Sequence, residues 1–217
     1  MLPQPSVTLL PTILHDVNGE RSAKVLAPFR TGGLKPVFEK IGTAPDMNTV
    51  SHGADASLKT ASRLLSIRGA VYSDFYPELL LAVWQRWVAF TDSSEDVRGS
   101  AVLFDVTSAQ KLAEVGAADT ALRLRGEHYW VAVQGRSATH AGVAAAAEFA
   151  KSTVEFVRQK NAELSGKDLG WFINMCQGDE KPEDVFGENL TRLRKIKAKY
   201  DPKKVWSKGV VIEPLHE

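Results

Sequence analysis

The chain has 217 residues and a mass of 23.8 kDa, room for one generous domain. Hydrophobic residues make up 44% and charged residues 24%, which excludes a disordered chain, a collagen-like repeat and a coiled coil. Lys and Arg number 27 against 26 Asp and Glu, a net charge of +1, so no bulk field draws nucleic acid or an anionic membrane.

Residues 6–16, SVTLLPTILHD, are rich in Val, Leu, Ile and Thr but contain Pro11. That predicts an edge strand or two short extended pieces, because proline cannot donate to a central ladder. Residues 21–29 predict a short helix ended by Pro28, followed by a turn at Thr31-Gly32-Gly33 and a second extended run over 36–41. Residues 43–59 read as a loop. Pro77 opens a helix with Leu80, Leu81, Trp84, Trp87, Val88 and Phe90 at helical spacing.

The run AVLFDV over 101–106 predicts a strand buried on most of its surface, 108–115 a short helix, and HYWVAVQ over 128–134 another strand. A long helix is expected after Thr139 as cap, with Ala146, Phe149, Thr153, Phe156 and Val157 on one face. A further helix over 182–199 would bury Phe186, Leu190, Leu193 and Ile196, and the tail over 205–214 reads extended. Strands grouped with helices, without regular βαβ alternation, predict an α+β fold: an antiparallel sheet with helices packed on one face, then a C-terminal helix and extended tail.

Familiar catalytic signatures are missing. There is no G-x-G-x-x-G fingerprint, no phosphate loop and no nucleophile elbow. The single cysteine, Cys176, excludes an internal disulfide and a multi-cysteine zinc site and reads as a buried, inert thiol. The five histidines lack metal-ligand pairing, so no metal is expected; His128 reads as a satisfied or rim histidine. No apolar run approaches the ~20 residues of a membrane span, and residues 1–11 hold no basic leader region, so a cytoplasmic location is the default. Asp105 lies inside an apolar β run: turned inward it would suit proton abstraction, turned outward it merely ends the strand.

The C-terminal third carries more. Trp171-Phe172-Ile173-Asn174 is followed by Phe186-Gly187-Glu188-Asn189, Arg192-Leu193, Lys197-Ala198-Lys199-Tyr200-Asp201-Pro202 and Ile212-Glu213-Pro214. This order resembles the C-terminal signature of the berberine-bridge-enzyme-like FAD-linked oxidases, with their Tyr-x-Asn, Tyr/Phe-Gly-x-Asn, Arg-Leu and Lys-x-Lys-Tyr-Asp-Pro elements. Upstream, Asp119-Thr120-Ala121-Leu122 and Arg125 resemble the family's Thr-Ala-Phe-x-x-Arg approach to a strand, and Ser62-Arg63 fits more loosely. Phe172 stands where the family has tyrosine, so that phenol is absent, and Leu124 stands where a histidine often precedes the matched arginine.

The resemblance implies a substrate-binding α+β domain over 1–170 that roofs a flavin ring, and a segment over 171–217 that packs back on the flavin domain. It implies oxidation of a small organic substrate of the secondary-metabolite kind by hydride transfer to FAD. Asp105 would be the catalytic acid or base, Asn174 and Phe172 would meet the cofactor, and Phe104, Trp130 and Arg125 would meet the substrate. Asn174 as a turn residue and Trp130 as plain core remain open readings. No residues match the family's flavin-holding N-terminal domain, so a fragment, a split gene product and a flavin-free protein all stay open. The expected partners are the substrate and a flavin-binding domain or a second copy. The alternatives are a flavin-independent isomerase or cyclase using the same pocket, and a non-catalytic self-associating module.

Overall fold

The computed structural model describes residues 6–8, 16, 18–31, 33, 38–39, 42–53, 55 and 64–215. It divides into two compact units, residues 1–61 and 62–217. The boundary drawn from the sequence at residue 170 falls inside the second unit. Most of the extended runs expected over 6–16 and 36–41, together with Gly32 and Ser62-Arg63, lies outside the described residues.

The first unit contributes helix α1, Glu20–Thr31, and helix α2, Met47–His52. Helix α1 runs through Pro28 rather than stopping there. A proline removes one amide and crowds the carbonyl four residues back, which an exposed helix with no buried residue tolerates. Helix α2 corrects the expectation of a loop. Asp46 caps it, accepting from the Thr49 amide at 2.7 Å and the Thr49 hydroxyl at 2.8 Å.

The second unit is an α+β domain built on a three-stranded antiparallel sheet of order β1-β3-β2, with β1 Leu65–Tyr72, β2 Ala101–Asp105 and β3 Tyr129–Arg136. Register fixes its two faces. Ala70 pairs with Val131 and Val131 with Phe104, so Ala70, Tyr72, Val102, Phe104, Tyr129, Val131 and Val133 share one face. On that face lie helix α3, Pro77–Asp92, and helix α5, Val143–Ser165. Helix α4, Gln110–Ala113, is a single turn after β2.

Helix α3 starts at Pro77 as expected, but its buried stripe is Leu79, Val83, Trp87 and Thr91; Leu81 points to solvent, 56% exposed. Helix α5 buries Ala146, Phe149, Ala150, Thr153, Val154, Val157 and Asn161. Thr139 does not cap it directly, because a 3₁₀ turn over His140–Gly142 intervenes and the Thr139 amide donates to Asp96 at 2.7 Å. Gly135 has to be glycine, since a Cβ there would strike the Ala146 carbonyl of α5.

Strand β2 is an edge strand rather than a buried one: Leu103 is 40% exposed and Asp105 is exposed. The helix expected over 182–199 is broken into α6, Pro182–Phe186, and α7, Leu190–Tyr200. The break sits at Gly187, whose φ of +53° favours glycine, and Ile196 is 40% exposed instead of buried. The tail over 205–214 forms no regular strand.

Candidate functional site

The sheet face turned away from α3 and α5 carries the candidate site. Val71, Trp130 and Asp105 lie side by side across it, as do Gly69, Ala132 and Leu103. The segment after Gly170 folds back over this face at the free edge of β1. Trp171 forms a bridge with Ala70, the Phe172 amide donates to the Gly69 carbonyl at 3.2 Å, and Gln177 donates to the Ile67 carbonyl at 2.8 Å. A Cβ on Gly69 would lie 2.8 Å from the Phe172 Cβ and 2.9 Å from that of Met175, so glycine makes the close approach possible. The Phe172 ring then rests on Trp130, with centroids 4.3 Å apart and planes at 30°, and the His128 ring meets Trp130 edge-on at 4.6 Å.

Trp130, Phe172 and Asp105 are thus brought to one face. Asp105 is exposed at its margin, so the inward orientation considered from the sequence is not the one found. Asn174, in a 3₁₀ turn over Ile173–Met175, is exposed and makes no hydrogen bond among the described residues. It rides over β1 while Asp105 ends β2, two strand spacings or about 10 Å across the sheet. Phe104 is turned the other way, into the helix layer, with its ring edge-on to Tyr72 at 5.8 Å. Arg125 is occupied by its own loop, donating to the Gly116 carbonyl at 3.3 Å, the Leu124 carbonyl at 2.8 Å and the Thr120 hydroxyl at 2.7 Å.

The motif residues of the C-terminal third prove to be fasteners. Asn189 donates to the carbonyls of Ala117 at 2.8 Å and Thr120 at 3.2 Å, and Arg192 donates to that of Ala118. The Gly-x-Asn and Arg-Leu elements therefore hold the loop that carries Asp119–Arg125. Asp201 accepts from the amides of Val205 at 2.7 Å and Trp206 at 3.1 Å and pairs with Lys197, which also reaches the Trp206 carbonyl at 2.7 Å. Burial works against the Asp201 carboxylate, yet the Lys197 ammonium and those amides outweigh it and hold its pKa below the usual range.

Two arginines tie the segment down. Arg68 grips Asp179 at 2.6 and 3.0 Å and Glu180 at 3.2 Å. Arg158 pairs with Asp168 at 2.5 Å and Asp184 at 2.9 Å and lies 4.8 Å over the Trp171 ring. Cys176, within the segment, is half-buried, its thiol pushed up to about 12 by burial and then by the Glu180 charge.

From the sequence His128 reads as a satisfied surface or rim histidine with no functional role. It is only 3% exposed, and it stands in the wall of a cleft of about 200 Å³ formed by Val106, Thr107, Ser108, Ala109, Glu127 and Tyr129. Burial lowers its pKa, opposed by the hydrogen bond to Gly126, so the ring is neutral near pH 7. On the helix-covered face, the Tyr72 phenol is buried and has no hydrogen-bond partner among the described residues; burial, then the nearby Tyr129 and Asp105, push its pKa up.

The family profile described as "Berberine and berberine like" matches residues 171–208. The FAD-linked oxidoreductase pgmH of Aspergillus terreus is 54% identical over 37 residues, which is 17% of this chain and 8% of that protein. Among solved structures, wild-type BBE-like 1 of Physcomitrella patens superposes with a TM-score of 0.54 at 16% identity, covering 70% of this chain and 31% of that one. The xylooligosaccharide oxidase of Myceliophthora thermophila C1, in complex with xylobiose, gives 0.53 at 19% identity over 70% of this chain and 33% of that one. The chain thus spans about a third of these structures and far less of the curated relative. Residues 171–208 carry the similarity to the berberine and berberine-like profile, and they sit on an α+β domain whose fold resembles that of BBE-like 1.

Proposed function

We propose that the chain is the substrate-facing part of a FAD-linked oxidoreductase acting on a small organic substrate. The observation that carries this reading is the Trp130–Phe172 pair on the open sheet face, with Leu103 exposed beside it and the exposed Asn174 amide at the rim. A flat apolar surface bordered by an amide fits one face of a planar heteroaromatic ring. A flavin bound there supplies the acceptor for the substrate's hydride.

The chain's own residues do the rest. Trp130 and Phe172 exclude water from the ring face, and Asn174 meets a polar ring edge. Asp105, exposed beside Trp130, accepts the proton that leaves the substrate. Phe104 and Arg125 take no part, because one faces the helices and the other is spent on its loop.

Lumiflavin, the bare ring system, tests this on the 217-residue chain. Titration to about 1 mM should quench its fluorescence and shift the Trp130 indole signal, as stacking worth about 1 kcal/mol requires. Trp130→Ala should abolish both. Unchanged signals in the unsubstituted chain would overturn the reading.

A further inference from the structure

The cleft beside the sheet face has a chemistry of its own. The His128 Nδ1 lies 2.9 Å from the Gly126 carbonyl. A carbonyl only accepts, so Nδ1 carries the proton and Nε2 is left as a lone-pair acceptor. No hydrogen bond to Nε2 occurs among the described residues, although the side chain is almost wholly buried and lines the cleft. Nε2 opens on the cleft, where a donor from outside the chain can reach it.

The walls narrow the choice of donor. Among the described residues no lysine or arginine lines the cleft, and Glu127 is part of its wall, so an anion meets repulsion and no counter-charge. Val106, Ala109 and Tyr129 supply apolar surface, while Thr107 and Ser108 bring hydroxyls. A volume of about 200 Å³ admits one six-membered ring, given that a cavity of ~150 Å³ holds benzene. We propose that this cleft binds an uncharged hydroxylated six-membered ring whose O–H donates to Nε2 of His128. The edge-on contact between His128 and Trp130 sets the cleft wall beside the face that carries Asp105, so a ring held there governs which substrate hydroxyl is presented to that face. Only that link to oxidation rests on the substrate-facing reading above; binding itself needs no flavin.

The test is a titration of the full 217-residue chain with phenol and, separately, glucose, followed by NMR on the Ala109 methyl and the Tyr129 ring. At least one probe should give saturable shifts, and acetate should give none. His128→Asn keeps a donor for the Gly126 carbonyl but removes the Nε2 lone pair, and should weaken binding at least tenfold. Ala109→Leu fills the cleft without touching the histidine and should block binding, which covers the case of a His128 variant that does not fold. Saturable acetate binding as strong as that of the uncharged probes, failure of both probes, or undiminished binding by a folded His128→Asn chain would overturn the proposal. If a probe binds where lumiflavin does not, the cleft stands and the oxidoreductase reading falls; lumiflavin binding without either probe separates them the other way.

Discussion

At the scale of single residues, burial of polar groups sets the sharpest expectations. Asn161 is fully buried, and its carbonyl accepts from the Ser73 amide at 2.8 Å and hydroxyl at 2.9 Å while its amide donates to the Lys167 carbonyl at 3.1 Å. Asn161→Ala strands those partners, and urea unfolding should show a loss of about 1–3 kcal/mol. His128 makes a prediction about pH. Its folded pKa lies below the ordinary 6.5, so as pH falls the unfolded imidazole takes up its proton first. The stability it contributes is complete above about 6.5 and drains as pH drops through the folded value. Between pH 7.5 and 5.5 the parent chain should therefore lose more stability in urea titrations than His128→Asn. Asp168, whose carboxylate is held below 3.8 chiefly by its hydrogen bond from Arg158, titrates outside that window.

At the scale of elements, what could be read from the sequence was whatever depended on near neighbours. Pro77 and the helical spacing after it located α3, and the aromatic β-branched run after His128 located β3. Strand β1 was missed because Ser66, Arg68 and Gly69 break its apolar pattern, and each departure has a distant cause. Arg68 is there for Asp179, 111 residues on, and Gly69 for the backbone that crosses it at Phe172. The same holds for the site. Trp130 and Phe172 were nominated and do meet, whereas Phe104 fell on the wrong face because strand alternation cannot say which side the helices will cover. His128 was read as a satisfied surface or rim histidine because its burial comes from loops joined only in the fold. Gly69→Ala is the direct check on the crossing. The new methyl overpacks against Phe172 and Met175, which should cost about 1–3 kcal/mol in thermal or urea unfolding. Arg158→Met removes two partly exposed ion pairs and the contact with Trp171, and the segment over 168–184, with Trp171 and Phe172, should become cleavable by chymotrypsin at lower urea, a loss of about 1–2 kcal/mol.

For the molecule as a whole, the tryptophans of the second unit differ sharply in exposure. Trp87 is 8% exposed and donates to the Ser100 carbonyl at 2.8 Å, while Trp206 is 71% exposed near Val205 and Tyr200. Replacing Trp206 by Phe should remove the most iodide-quenchable part of the fluorescence and leave the unfolding midpoint within about 0.5 kcal/mol of the parent. The Asn189 and Arg192 bonds to carbonyls of residues 117–120 reach further. Because they address main-chain oxygens, they read the loop's shape and are indifferent to its side chains. A chimera that grafts a relative's 171–208 onto this chain should assemble whenever the recipient loop keeps its length, even if most of its letters change. Deleting one residue between Gly116 and Arg125 should unseat the graft, and the parent tail with it.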